Sequence, residues 1–302
     1  MNELFDKLLI RVIFTIFLCT ILYLYKYAHS FLYPQAKKQI FKRFYPSKNS
    51  ADTIHLFARL IGIGIVFSEF YFFMAEGIIF ALFDFFMASL LAFFLYLGSI
   101  YVIESIVLYN FEYHDEVLKR KNFSYAIICF AHSVGLAYLL KMILSISKET
   151  FKHVPIYIVL LWLFSMVIIA FASKFFPLIS RLRFQKLLIQ KNMGLSFSYL
   201  GFFLGLIIIL SSSLNHKLLD IQAYSIEVFL KIILSLIILP IFKKGIPFIF
   251  KMQDDLEQSS KPLTKKEKEE PEVGYGIYEG VIFFTSALLT TVITDHIAFG
   301  PF

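Results

Sequence analysis

The stretch from Lys191 to Leu210, KNMGLSFSYLGFFLGLIIIL, decides how the whole chain is read. A cation and an amide open a run of about 20 mostly apolar residues, the length at which an α-helix crosses a bilayer. Lys48-Asn49 and Lys121-Asn122 open two further runs of the same kind. Nine residues after each Asn stands a small residue (Ala58, Ala131, Gly201), and thirteen after it stands a glycine (Gly62, Gly135, Gly205). Asn49 and Asn122 are 73 residues apart and Asn122 and Asn192 are 70 apart, as expected of one unit copied along the chain. A weaker fourth copy puts Gly280 in the small-residue place, with Pro271 instead of the Asn and Phe284 instead of the second glycine. Residues four apart share a helical face, and small ones there let helix backbones approach. Packing is therefore the first role to expect of Gly62, Gly135 and Gly205.

Hydrophobic residues make up 58% of the chain, with 37 Phe and 17 Tyr, and the mean hydropathy is +0.73. Soluble domains do not carry so much apolar surface, so the expected fold is an all-α polytopic membrane protein. The net charge of +7 sits in short segments between the apolar runs. No basic patch with interleaved aromatics forms a domain of its own, which argues against nucleic acid as a partner. Cys19 and Cys129 lie inside apolar runs without neighbours at metal-ligand spacing, so neither a disulfide framework nor a metal site is predicted.

Eight apolar runs follow one another, at about 8–32, 54–73, 78–108, 122–143, 155–176, 194–214, 223–242 and 276–298. Together they predict about eight transmembrane helices, arranged as four parallel helical-hairpin repeats in two four-helix units, 1–150 and 151–302. Glu3 and Asp6 ahead of a long first run argue for a retained span rather than a cleaved signal. Ala75-Glu76-Gly77 reads as a tight hairpin, and Asn110 to Lys121 as a turn or two of interfacial helix. Pro155 suits the first turn of the fifth span and Pro177 ends it. The mixed charges of 243–272 read as a solvated linker within the second unit.

Lys and Arg are unevenly divided between the two sides. The connections after the odd spans hold nineteen of them, the opposite side only Lys7, Lys148, Lys152 and Lys217. That bias places the basic connections in the cytoplasm and both termini outside.

Ionisable groups inside spans are costly unless paired or wet, which makes them the default site candidates. Arg59, Asp84, His132, Glu279 and Thr290 form the candidate intramembrane polar site. His55 and Arg59, four apart, share a face, and Arg59 has Asp84 of the next span as a possible partner. Glu104 and Lys174 stand at matching depth with opposite sign, near enough to the cytoplasmic ends to snorkel to the interface. Glu227 and Lys231 have the favourable order for a helix ion pair. Glu279, Ser286, Thr290 and Thr294 form a polar stripe that either bonds neighbouring helices or lines a wet path.

Gln185 to Asn192, then Ser198, Gly201 and Gly205, then Leu210-Ser211-Ser212-Ser213, resemble the bacterial membrane family called domain of unknown function 350 (YjfL-like), and Glu116 to Gly135 is a related stretch. The resemblance implies four spans per unit and two tandem units, and hence the bacterial inner membrane. Asp52, His55 and Arg59 in the first repeat depart from the family's pattern, as does the missing Asn in the last.

The sequence has no phosphate loop, H-E-x-x-H helix or G-x-S-x-G elbow, and it is read as neither an enzyme nor a cofactor carrier. The favoured reading is a membrane component or scaffold whose basic connections meet anionic lipid or a cytoplasmic protein partner. The alternative is a small-ion or small-solute channel or transporter using the intramembrane polar residues.

Overall fold

The computed structural model describes residues 2–42, 44–70, 78–148, 154–180, 182–216, 220–252, 273–295 and 297. Its eight long helices are α1 (Asn2–Leu32), α2 (Ser50–Phe67), α3 (Ile78–Val107), α4 (Phe123–Lys148), α5 (Val154–Lys174), α6 (Met193–Leu214), α7 (Ile221–Ile249) and α8 (Val273–Thr294). Each contains a stretch long and apolar enough to cross a membrane. Among the described residues there is no strand. Large apolar side chains cover the perimeter, Phe31 at 84%, Ile79 at 77% and Leu178 at 72% exposure among them. Such a surface suits lipid and not water, and the protein is an all-α, multi-pass membrane protein.

The four helices α2, α4, α6 and α8 pack side by side in sequence order, the α6/α8 pair most closely. Glycine explains that closeness. A Cβ on Gly201 would lie 2.1 Å from the carbonyl oxygen of Gly280, and one on Gly276 would lie 2.0 Å from that of Gly194. The two backbones touch, as small residues on facing stripes allow. The other motif glycines admit side chains instead: Tyr96 over Gly62, Phe203 over Gly135 and Phe283 over Gly205. Helices α3, α5 and α7 flank the row, and α5 contacts α3, α4 and α6. Helix α1 lies at the edge, where Phe14 and Phe17 meet Phe85 of α3 at 5.4 and 4.9 Å between ring centres.

The Lys-Asn pairs prove to be helix starts. Lys121 and Lys191 take left-handed φ of 50° and 59°, which reverses the chain, and the following Asn caps the next helix. Asn49, Asn122 and Asn192 accept from the amides of Asp52, Tyr125 and Leu195 at 3.2, 3.2 and 2.9 Å, satisfying donors that a helix start leaves open. The same side chains also reach forward. Asn49 Nδ2 donates to the Val117 carbonyl at 2.8 Å and Asn122 Nδ2 to that of Leu188 at 2.9 Å. Lys121 Nζ donates to the Lys48 carbonyl at 3.1 Å and Lys191 Nζ to that of Arg120 at 2.5 Å. The basic connections are therefore bonded to one another in a chain.

Several boundaries move. The interfacial turn before Asn122 is a wide π-helical turn over His114–Lys119. The fifth span breaks at Phe175 and resumes as a short helix, Phe176–Ser180, with Pro177 in its first turn. Helix α7 runs on through Pro240 and Pro247 to Ile249, past the expected end at Phe242, so Lys243 and Lys244 are helical rather than linker. The Ala75-Glu76-Gly77 hairpin and the rest of the linker, 253–272, lie outside the described residues.

Candidate functional site

The row places α2 against α4 and leaves the end of α3 beside both. Arg59 lies about two and a half turns into α2, and its guanidinium is buried between the helices. Nη2 donates to Glu104 Oε1 of α3 at 2.5 Å and to His55 Nε2 at 3.3 Å. Nη1 donates to the Cys129 carbonyl at 3.3 Å and to Ser133 Oγ, both on α4. The side chains of Arg59 and Glu104 are 3% and 11% exposed. A pair so far from water survives only when its remaining bonding groups are filled, and the Arg59 guanidinium meets that condition on three helices.

Guanidinium only donates, so His55 Nε2 accepts and the ring proton sits on Nδ1. That buried Nδ1 has no partner in the structure. His132 Nε2 lies 2.8 Å from Tyr199 Oη, while its Nδ1 faces Glu104 Oε1 at 3.8 Å. Tyr96 Oη reaches the carbonyls of Arg59 and Ser133 at 3.4 and 3.3 Å. The polar chain thus runs from α2 through Glu104 to α6.

Toward the basic connections the site becomes aromatic. Tyr33 and Tyr113 rings are 4.3 Å apart, Tyr113 and His55 4.7 Å, and His29 and His55 5.9 Å. Tyr113 Oη donates to Asp52 Oδ1 at 2.5 Å. Burial, with the Asp52 carboxylate beside it, pushes the Tyr113 phenol well above its ordinary range, so the phenol keeps its proton and is the donor. A cleft of about 270 Å³ opens here, with Arg59, Glu104, Tyr25, Tyr33, Tyr113 and Tyr125 in its walls. Its rim is the exposed Leu32, Tyr101, Ser105 and Tyr109, at the ends of α1 and α3.

The expected site residues divide. Arg59 and His132 come together, and both meet Glu104. Asp84 is not Arg59's partner: it is exposed on α3. Glu279 accepts from Ser198 Oγ at 2.6 Å and ties α8 to α6. Thr290 is buried and returns its hydroxyl to the Ser286 carbonyl at 2.8 Å, so this part of the stripe bonds its own backbone. Glu227 and Lys231 pair at 3.5 Å. Glu104 and Lys174 do not meet, since Lys174 Nζ lies over the Tyr109 ring at 5.1 Å.

Glu104 was the residue hidden by depth. It stands one turn from the end of α3 yet meets Arg59, about two and a half turns into α2, a step between the ends of the two helices. The connection from Leu108 to Lys121 covers that step. His29 and the tyrosines gave no signal beyond composition. The fold also gathers ligand atoms of His55, Glu104 and Cys129 within 4.8 Å of one another, which sequence spacing did not show. Arg59 Nη2 already occupies His55 Nε2 and Glu104 Oε1, so a metal ion would have to displace it.

Fold and site together define a multi-pass helical membrane protein with a buried ion-paired polar centre. The chain belongs to the family described as Domain of Unknown Function (DUF350), which it matches over residues 3–144 and 150–293 as two tandem units. No curated protein and no solved structure matches it.

Proposed function

We propose that this is a protein of the bacterial cytoplasmic membrane whose first unit binds a small ion or solute, entering from the cytoplasmic side, and is not an enzyme. The observation that carries the reading is the cleft itself. It has Arg59 and Glu104 in its walls, although a purely structural pair is best sealed. The second unit serves as framework. Phe202 stands where the first two repeats have Arg59 and His132, and the place is filled by Phe176, Tyr199 and Phe283, with ring centres 5.1, 6.4 and 4.9 Å from that of Phe202.

The excess of Lys and Arg in the connections beside the cleft supports reading that end as cytoplasmic and both termini as outside. The same basic connections suit contact with anionic lipid or a cytoplasmic partner. Phe17, Phe67, Phe70 and Phe85 pack together toward the other end of α2, so release to the far side requires α1 to α3 to move.

Ser105→Cys on the rim tests access. An impermeant thiol reagent should label it in inverted vesicles and not in right-side-out ones, and the opposite pattern overturns the orientation. Thermal-shift screening of the purified protein with small amines, carboxylates and divalent metal salts tests binding. At least one class should raise the melting temperature of the parent and leave an Arg59→Met/Glu104→Leu variant unmoved. No shift with any class removes the binding reading.

A further inference from the structure

The geometry points to an organic ammonium group as what the cleft takes, lodged against Glu104 and held among the cleft's aromatic rings. This rests on the proposed binding function and names its ligand class. Three charge classes are open to a site with one guanidinium and one carboxylate: an anion on Arg59, a metal ion among the nearby ligand atoms, or an organic cation on Glu104.

An anion finds no free terminal nitrogen on Arg59. Both terminal nitrogens of Arg59 are spent, on Glu104, His55, the Cys129 carbonyl and Ser133. A metal ion among His55, Glu104 and Cys129 would have to displace the Arg59 guanidinium. His55 Nε2 and Glu104 Oε1 both face Arg59 Nη2, and the free ring nitrogen of His55 carries the proton.

The organic cation meets neither obstacle. Arg59 binds Glu104 through Oε1, and the carboxylate borders the cleft. Tyr25, Tyr33, Phe111, Tyr113 and Tyr125 surround the same space, with Tyr101 and Tyr109 at its mouth. Aromatic faces around a carboxylate recognise alkylammonium ions, because ring quadrupoles attract a cation that is easily stripped of water. The volume of about 270 Å³ suits a small alkylammonium. The mouth at the ends of α1 and α3 also admits a lipid headgroup amine from the bilayer edge. A free amine and a headgroup amine share this chemistry.

The probes are tetramethylammonium and ethanolamine chloride in solution, and phosphatidylethanolamine against phosphatidylglycerol in nanodiscs, each added to the full chain. Binding is read by calorimetry and by fluorescence of Trp162, whose indole bonds Ser99 of α3 at 2.7 Å. Saturable binding of a soluble amine, weakened at least tenfold by Tyr101→Ala and kept by Tyr101→Phe, supports the inference and assigns a free amine. Retention of phosphatidylethanolamine over phosphatidylglycerol, lost in the same alanine variant, supports it and assigns a headgroup. Tyr101 is exposed at the rim, so its replacement leaves the packing intact, and Glu104→Gln paired with Arg59→Met checks the carboxylate without stranding a charge. Binding of acetate or Zn²⁺ with no amine bound overturns this inference while leaving the site a binding site. Binding of none of the probes overturns both.

Discussion

Replacing Glu104 by Ala isolates the guanidinium of Arg59, whose side chain is only 3% exposed. A buried charge stripped of its partner costs about 3–5 kcal/mol. Arg59→Met should cost toward the lower end, because Glu104 keeps His132 Nδ1 at 3.8 Å and some contact with the cleft. Arg59→Met/Glu104→Ala removes both charges. The Cys129 carbonyl that Arg59 now bonds keeps its bond from Ser133 Oγ at 2.6 Å, and the desolvation of two ions is recovered. The double variant should therefore be no less stable than Glu104→Ala alone, with a coupling of about 3 kcal/mol or more between the two sites. The assay is unfolding in mixed micelles followed by helicity, with Trp162 fluorescence as a second probe. Additive single effects, with coupling below about 0.5 kcal/mol, would show the pair to be solvated and would refute the argument from burial.

Gly280→Ala sets a methyl 2.4 Å from the Phe197 carbonyl oxygen and should destabilise the α6/α8 pair by about 1–3 kcal/mol, whereas Gly245→Ala, with nothing within 4 Å, should not; melting temperatures of the two compare directly. Asn122→Ala removes the α4 cap and the bond to Leu188 and should cost about 1–3 kcal/mol, read in the same unfolding assay. Tyr113→Phe strips Asp52 of its donor and should lower stability by about 1–3 kcal/mol without changing the oligomeric state on gel filtration. Burial holds His216 below its ordinary value, outweighing the nearby Glu227. A histidine depressed in the fold binds its proton more readily when unfolded, so stability is full above about pH 6.5 and falls below it. Melting temperature against pH should lose part of that acid slope in His216→Asn.

The eight long helices were legible because each is a long, mostly apolar run, and three of their starts because Lys-Asn opens the run. Glycine spacing was legible as packing for the same reason: a helix repeats its faces at fixed intervals. The site was half legible. Arg59 and His132 stand deep in their helices, where charge is conspicuous. Glu104 did not, since its depth depends on where α3 stops relative to α2, which no local pattern encodes. The same blindness made Asp84 look like the partner of Arg59. Cys129, with no metal-spaced neighbour in sequence, meets His55 and Glu104 only because α2, α3 and α4 converge. Aromatic residues were too common to mark the cleft, for 18% of the chain is aromatic.

Spacing from the capping Asn explains why the polar centre occurs in the first unit. Arg59 and His132 both follow their Asn by ten residues, so each faces the next helix of the row, α2 toward α4 and α4 toward α6. Between α2 and α4 the carboxylate of Glu104 is supplied, eighteen residues before Asn122. Eighteen before Asn192 the chain has Lys174, a cation that turns outward onto Tyr109. His132 therefore has no acid from its own interface and borrows Glu104 from the first, while Tyr199 takes its other nitrogen. With Phe202 at the third position, the α6/α8 contact closes on glycine, and Glu279 there is held by Ser198. One favourable sign at one equivalent position thus decides where a buried ion pair forms and where the helices close on glycine.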